Sequence, residues 1–517
     1  MHKTHTLSNK QNDALFVLIK SLSKSEKRQF NLYVGRLEGN VDAKFLSLFK
    51  FLDKLKKYDE KLIIKSGIVS KQQLSNLKAH LYKQILISLR LNPSLKNIRI
   101  ELREQLDFAT ILYQKGLYKQ SLKLLDKAKK IAITNEEKNI AYEIVELEKV
   151  IESQYITRSI STRADELTMQ AKQLSLQNII TSKLSNLSLQ LYGLLLKNGY
   201  AKNDTELQKI NTYFDKKLPK YNFNKLGFRE KLWLYKAYLW RSFLTQNFLQ
   251  SYRFSNKWVN LFKERPNTIK LHPVFYLKGK NYLLESLFFI QHYTKFNEEL
   301  AYFEQEIEDH KIPLNNNTEI LIFQYLYANK LHFHFLNGTF SEGEYLVPII
   351  NKKIELYKNQ LDTHHIIILY YKIACLYFGM GKNEECIFYL NKIITVKNIS
   401  VAEDLQCFAR VLNLIAHYEC GLDYDFERQF KDTYKFLLKM ENLQEVQKVL
   451  IVSIKALGDV YPHEIKKELQ KTHSQLKKFK NHPYEKRAFL YLDILSWLES
   501  KIKNKPVSQI IQEKIKN

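Results

Sequence analysis

Within residues 369–396, LYYKIACLYFGMGKNEECIFYLNKIITV, the tetrapeptide Gly379-Met380-Gly381-Lys382 has the residue types of a phosphate-binding loop. Such a loop curls backbone N–H groups around phosphate oxygens and requires Gly-x-x-x-x-Gly-Lys-Ser/Thr after a strand. Here Asn383 follows Lys382, and both flanks carry helical rather than strand periodicity. The fragment reads as a bend between two helices, and no cofactor is expected there.

The other residues capable of chemistry are scattered. His332 and His334 are two apart, which on a helix sets them on nearly opposite faces and keeps them from sharing a metal. His364 and His365 are the other close pair, and no His-Glu-x-x-His sequence is present. His334 reads as a structural histidine in an interior slot. There is no Gly-x-Ser-x-Gly elbow. Cys375, Cys386, Cys407 and Cys420 include no Cys-x-x-Cys pair and read as small buried side chains. Carboxylate pairs such as Glu136-Glu137 and Glu384-Glu385 fall at bends or charged helix starts, where solvation accounts for them. We expect no catalytic residue, no metal and no enzyme.

What must position any site is helical. Of 517 residues only 14 are Gly and 9 Pro, too few for the tight turns of a β architecture. An apolar content of 45% argues against general disorder. The most apolar run, HHIIILYYKIACLYFG, is interrupted by Lys372 and is too short to span a bilayer. The N-terminal stretch lacks the apolar region of a signal peptide. The expected location is the cytoplasm, with no membrane contact.

Two capping-box patterns, Ser23-Lys-Ser-Glu26 and Ser70-Lys-Gln-Gln73, mark helix starts near the N-terminus. After Ser70, Leu74, Leu77, Leu81, Ile85 and Leu89 make one apolar stripe. With Gly67 as the turn, this stretch also fits a loose helix-turn-helix pattern carrying Lys71, Lys78 and Lys83; a plain helical cap is the favoured reading.

From residue 101 the chain repeats. Ala374, Tyr377, Gly381, Cys386, Leu390 and Ile393 follow an order that recurs as Ala109, Leu112, Gly116, Tyr118, Ser121, Leu125 and Ala128. It recurs again as Leu331, His334, Gly338, Phe340, Gly343, Val347 and Ile350, and, with Gln246 at the bend, as Phe248, Ser251 and Trp258. This order resembles the tetratricopeptide repeat. The departures are the spacing and the missing glycines. Gly338 to Gly381 is 43 residues, Gly381 to Gly421 is 40, and Gln246 to Gly338 is 92, two units of 46. Gly116 to Gly199, 83 residues, again counts as two units.

The resemblance implies an all-α, right-handed superhelical solenoid of antiparallel helix pairs, with units of about 40–47 residues and helical caps at both ends. The expected divisions are a basic helical module over 1–100, repeats over 101–440, and C-terminal helices with a charged cap over 441–517. In such arrays the first helix of each unit lines a concave, partner-binding surface. Carried onto this chain, that surface comprises Trp233, Lys236, Trp240 and Phe243; then Tyr325, His332 and Phe335; then Ile368, Tyr371 and Phe378. Aromatic anchors suit a peptide groove. The same stripe would equally serve as core between neighbouring units.

The expected function is a non-enzymatic scaffold or adaptor holding a protein or peptide partner. The alternative is a nucleic-acid-binding regulator. The net charge of +27 is concentrated at the ends: +13 over residues 1–100 and +7 over 461–517. Against it stand 67 Lys to 14 Arg, since Arg is the residue that clamps phosphates and reads bases. Codons rich in A and T would produce the same basicity without a ligand.

Overall fold

The computed structural model describes residues 13–36, 44–92, 97–154, 162–396, 403–421, 423–438, 445–459, 461, 463–491 and 493–516. All secondary structure among the described residues is helical, as the shortage of Gly and Pro requires. None of these helices is long and apolar enough to cross a membrane. The chain divides into two compact units, Met1–Ala171 and Lys172–Asn517.

The first unit opens with α1 (Ala14–Ser21), α2 (Lys24–Gly35), α3 (Lys44–Lys54), α4 (Glu60–Lys65) and α5 (Lys71–Arg90). Their apolar stripes meet in one core containing Ile19, Phe30, Leu48, Phe49, Leu52, Ile63, Leu81 and Ile85. The box at Ser23 forms: Glu26 N–H donates to Ser23 Oγ, and Ser23 N–H to the Glu26 carboxylate. The box at Ser70 does not, for the Ser70 side chain makes no cap bond. Gln73 N–H donates instead to the Ser70 carbonyl. Leu74, Leu81 and Ile85 of the expected stripe are buried, with Leu77 and Leu89 packed beside them. Lys78 is taken by Asp13, and its ammonium also donates to Tyr58 Oη.

The rest of the first unit is α6 (Ile98–Gln114), α7 (Tyr118–Thr134), α8 (Lys138–Gln154) and the first residues of α9 (Arg163–Asn198). Gly116 makes the α6–α7 bend at φ +74°. Buried Lys129 and the Arg163 guanidinium gather Asp126 and Glu148, and Arg163 also reaches Glu152. Removing one partner of such a network leaves a buried charge uncompensated.

The second unit continues α9 and adds α10 (Asp204–Lys217), α11 (Phe228–Leu244), α12 (Phe248–Glu264), the short α13 (Asn267–Leu271), α14 (Pro273–Phe289), α15 (Tyr293–Glu308), α16 (Asn316–Asn337), α17 (Leu346–Leu356), α18 (Thr363–Gly379), α19 (Asn383–Ile394) and α20 (Glu403–Glu419). Neighbours in sequence pack as neighbours in space, and α14, α16, α18 and α20 also pack in succession, each on the next. Left-handed residues recur at Gly199, Gln246, Gln291, Gly338, Gly381 and Gly421, with φ between +53° and +76°, while His310 and Asn504, also left-handed, follow α15 and the helix Ile494–Lys503 outside this series. The steps are 47, 45, 47, 43 and 40 residues. At each of the four middle bends the following N–H donates to a carbonyl five residues back, as in Lys382 to Tyr377, Asn247 to Ser242, His292 to Leu287 and Thr339 to His334. That bond satisfies carbonyls a helix end would otherwise orphan. The phosphate-loop fragment is therefore one copy of a helix-ending motif.

Gln291 supplies the bend that divides the 92-residue interval from Gln246 to Gly338. The 83 residues from Gly116 to Gly199 do not divide so simply. They hold α7, α8 and the 36-residue α9, with a further left-handed residue at Glu136 and residues 155–161 outside the described set.

The unit closes with α21 (Asp423–Leu438), α22 (Glu445–Asp459), α23 (Ile465–Lys477), α24 (Ala488–Tyr491), α25 (Ile494–Lys503) and α26 (Val507–Lys516). The last of these do more than end the stack, because they return along the bends of earlier helices. Tyr484 Oη donates to Asp204, Gln246 Nε2 donates to the Tyr484 carbonyl, and the Arg487 guanidinium lies 3.7 Å from the Tyr200 ring centroid. Trp497 Nε1 donates to Glu419. Gln512 Nε2 donates to the Gly338 carbonyl, where a Cβ would stand 2.8 Å from the Ser508 oxygen.

Candidate functional site

One stripe of α11 carries Trp233, Lys236 and Trp240, spaced three and four apart. The matching stripe of α14 carries Lys278, Tyr282 and Glu285, spaced four and three. Tyr325 and His332 of α16 and Ile368 and Lys372 of α18 repeat the register. These side chains converge. The Trp240 ring lies 4.8 Å from Tyr192 of α9 and 5.4 Å from Tyr282. The Lys372 ammonium meets His332 Nε2, whose imidazole stacks on Phe288 at 3.8 Å and 7°. The Lys236 ammonium sits 4.6 Å from the Trp233 ring centroid, which is itself edge-on to Phe275 at 5.5 Å.

The ten positions expected on the concave surface divide by burial. Trp240, Phe243, Tyr371 and Phe378 are core residues, each no more than 8% exposed. Their rings fill the interface between successive helices, the packing alternative the stripe always allowed, and they offer a partner little surface. Trp233, Lys236, Tyr325, His332, Phe335 and Ile368 are half-buried. Sequence reasoning missed Lys278, Tyr282, Glu285 and Lys372. The first three lie in the unit whose bend is Gln291, which no glycine announced. Lys372 is displaced by one residue from the assigned Tyr371, since Ile368 and Lys372 are one helical turn apart.

The electrostatics of this face are those of a partly dried surface. Burial lowers Lys236 to about 8, and the nearby Lys278 charge adds to the effect. Burial likewise lowers Lys372, with Glu285 opposing the shift. It raises the Glu285 carboxyl, against the pull of Lys372. His332 is held well below its ordinary value by burial and then by Lys372. The phenols of Tyr282 and Tyr325 are pushed up by burial and by Glu285 among their neighbours. Burial pushes the Cys375 thiol up to about 12, which keeps it protonated and inert as a nucleophile.

The polar inventory is unbalanced toward donors. Among the described residues, no carboxylate stands within ion-pair distance of Lys236 or Lys278, whereas Lys280 of the same helix, fully buried, pairs with Glu299 and Glu306. Trp240 Nε1 and His332 Nδ1 are buried without an acceptor. When His332 Nε2 accepts from the Lys372 ammonium, Nδ1 must carry the imidazole proton, so it too is a donor. The cations this face leaves without a carboxylate among the described residues are Lys236 and Lys278, and Glu285 is its carboxyl.

A pocket of about 490 Å³ between α10, α11 and α12 is lined by Asn211, Tyr238, Arg241, Thr245 and Gln250 among others. There Arg241 Nε donates to Asn211 and the Thr245 hydroxyl to the Arg241 carbonyl. His334 is buried and bonded through Nδ1 to the Thr339 hydroxyl. The four cysteines are free thiols, three of them buried. Among the described residues no group of three or more His, Cys, Asp or Glu is placed to hold a metal. No family model, characterised protein or solved structure compared with the chain matches it.

Proposed function

We propose that this chain is a non-enzymatic cytoplasmic scaffold or adaptor. In this reading it is a right-handed solenoid of antiparallel helix pairs, resembling tetratricopeptide repeats, that holds a segment of a partner protein. The observation that carries the reading is the recurrence, on α11, α14 and α16, of half-buried aromatic and basic side chains at helical spacing, continued on α18 by Ile368 and Lys372. Successive helices of a repeat array present such a stripe as one continuous surface, and rigid rings give it contact area at little entropic cost. The test is partner capture by the full chain. Trp233→Ala and Tyr325→Ala should weaken it by about tenfold or more, the scale of an interface anchor. Phe388→Ala, at a ring 57% exposed on α19, should leave it unchanged. Equal loss in all three would refute the reading.

A second reading rests on the N-terminal helices. There α4, a turn at Gly67 with φ +73°, and α5 succeed one another in helix-turn-helix order. Lys71, Gln72, Gln73, Ser75, Asn76 and Lys83 of α5 are exposed. These are side-chain types that contact phosphates and base edges. Lys78, which the pattern would also need, is taken by Asp13. If the regulator reading holds, mixed-sequence DNA or RNA binds near physiological salt with a steep salt dependence, and Lys71→Ala with Lys83→Ala reduces the slope.

A further inference from the structure

We propose that the occupant of the face shared by α11, α14, α16 and α18 is an acidic peptide segment whose carboxylates seat on Lys236 and Lys278; this rests on the peptide-holding function proposed above. Lys236 and Lys278 lie close enough for one charge to disfavour the other, both are half-buried, and neither has a carboxylate within ion-pair distance among the described residues. The Lys236 ammonium also lies 4.6 Å from the centroid of the half-buried Trp233 ring.

Like charges drawn together and partly desolvated cost free energy unless something neutralises them. This chain neutralises such charges elsewhere: Lys280, two residues from Lys278, has Glu299 and Glu306, and Lys129 has Glu148. Lys236 and Lys278 have no such partner among the described residues, and an occupant's carboxylates would neutralise them. The half-buried rings of Trp233, Tyr282 and Tyr325 would cover its apolar side chains. A strand of phosphates would neutralise the lysines too. Only two lysines without a carboxylate partner lie here and the Glu285 carboxyl shares the face, which favours a peptide of mixed acidic and apolar residues over a polymer charged at every unit.

The test is a display library of random twelve-residue peptides panned against the full chain, with the captured peptides sequenced. We expect enrichment of Asp and Glu beside apolar residues. Capture should fall by about tenfold or more in Lys236→Met with Lys278→Met, the scale of a lost charge-assisted hydrogen bond. Lys236→Arg with Lys278→Arg should retain it, which guards against a folding defect. Lys466→Met with Lys467→Met, at exposed lysines of α23, should also retain it, since those charges contribute only bulk attraction.

Acidic peptides captured equally by the Lys236/Lys278 methionine pair would overturn the inference, leaving general attraction to a basic chain. Neutral peptides enriched and lost with Trp233→Ala would overturn it while the peptide-holding function stands. No peptide whose capture depends on this face would overturn both. Displacement of captured peptides by mixed-sequence DNA, abolished by the same methionine pair, would make the ligand a nucleic acid and overturn it as well.

Discussion

At the scale of single residues, burial separates anchors from core. Trp240 and Phe378 carry the sequence signature of groove residues, yet both are 6% exposed. Truncating a buried aromatic ring costs about 3–5 kcal/mol. Trp240→Ala and Phe378→Ala should therefore lower the urea midpoint strongly, whereas Trp233→Ala should shift it little. Lys236 makes the complementary prediction. Its value in the folded chain, about 8, lies below the ordinary 10.5, so the unfolded chain holds that proton more tightly. The resulting penalty is full below pH 8 and is relieved as pH rises toward 10.5. Lys236→Met should raise the melting temperature at pH 7, and its advantage over the parent should vanish by about pH 10.5. A variant that melts lower than the parent at pH 7 would show the buried charge to be compensated.

At the scale of helices and bends, much of the fold was legible. The Gly-spaced order identified the bends at Gly116, Gly338 and Gly381, and equal division of the 92-residue interval anticipated a bend within a residue of Gln291. The same order put Gln246 at a bend, and what hid Gln291 is physical: a left-handed residue is cheapest as glycine, but a well-packed helix end holds another residue there. The Ser70 box failed to appear because the backbone carbonyl took the bond assigned to the side chain. The candidate face was half legible, since its stripe runs at helical spacing on every unit but the phase drifts by one residue on α18. Two glycines separate bend from contact. Gly381 has φ +76° and open space around it, so Gly381→Ala should cost about 1–2 kcal/mol from conformation alone. Gly279 sits against the Trp258 indole, with a Cβ only 2.9 Å from Nε1. Gly279→Ala should cost about 1–3 kcal/mol by overpacking. Chemical denaturation of the two variants checks both values, and the parent should bind no ATP, because Gly381 ends a helix.

At the scale of the molecule, the second unit is held by contacts far apart in sequence as well as by stacking. Tyr484 reaches Asp204, Gln246 reaches Tyr484, and Gln512 reaches Gly338. Nothing in the charged C-terminal sequence disclosed this return, because single polar side chains and a few buried apolar residues such as Ile510 and Ile511 carry it. A chain ending at residue 462 should melt earlier than the parent and expose the bends at Gly199, Gln246 and Gly338 to hydrogen exchange. Unchanged protection at those bends would make the C-terminal helices an independent appendage.

The most direct measurement places a photo-crosslinking amino acid at Tyr192, 38% exposed beside Trp240, and in a second chain at Tyr302, 39% exposed on α15. Irradiation in the native cell and sequencing of the adducts should yield one recurring partner peptide from position 192 and none from position 302. Adducts shared by both positions, or none from 192, would contradict a binding face on α11, α14, α16 and α18.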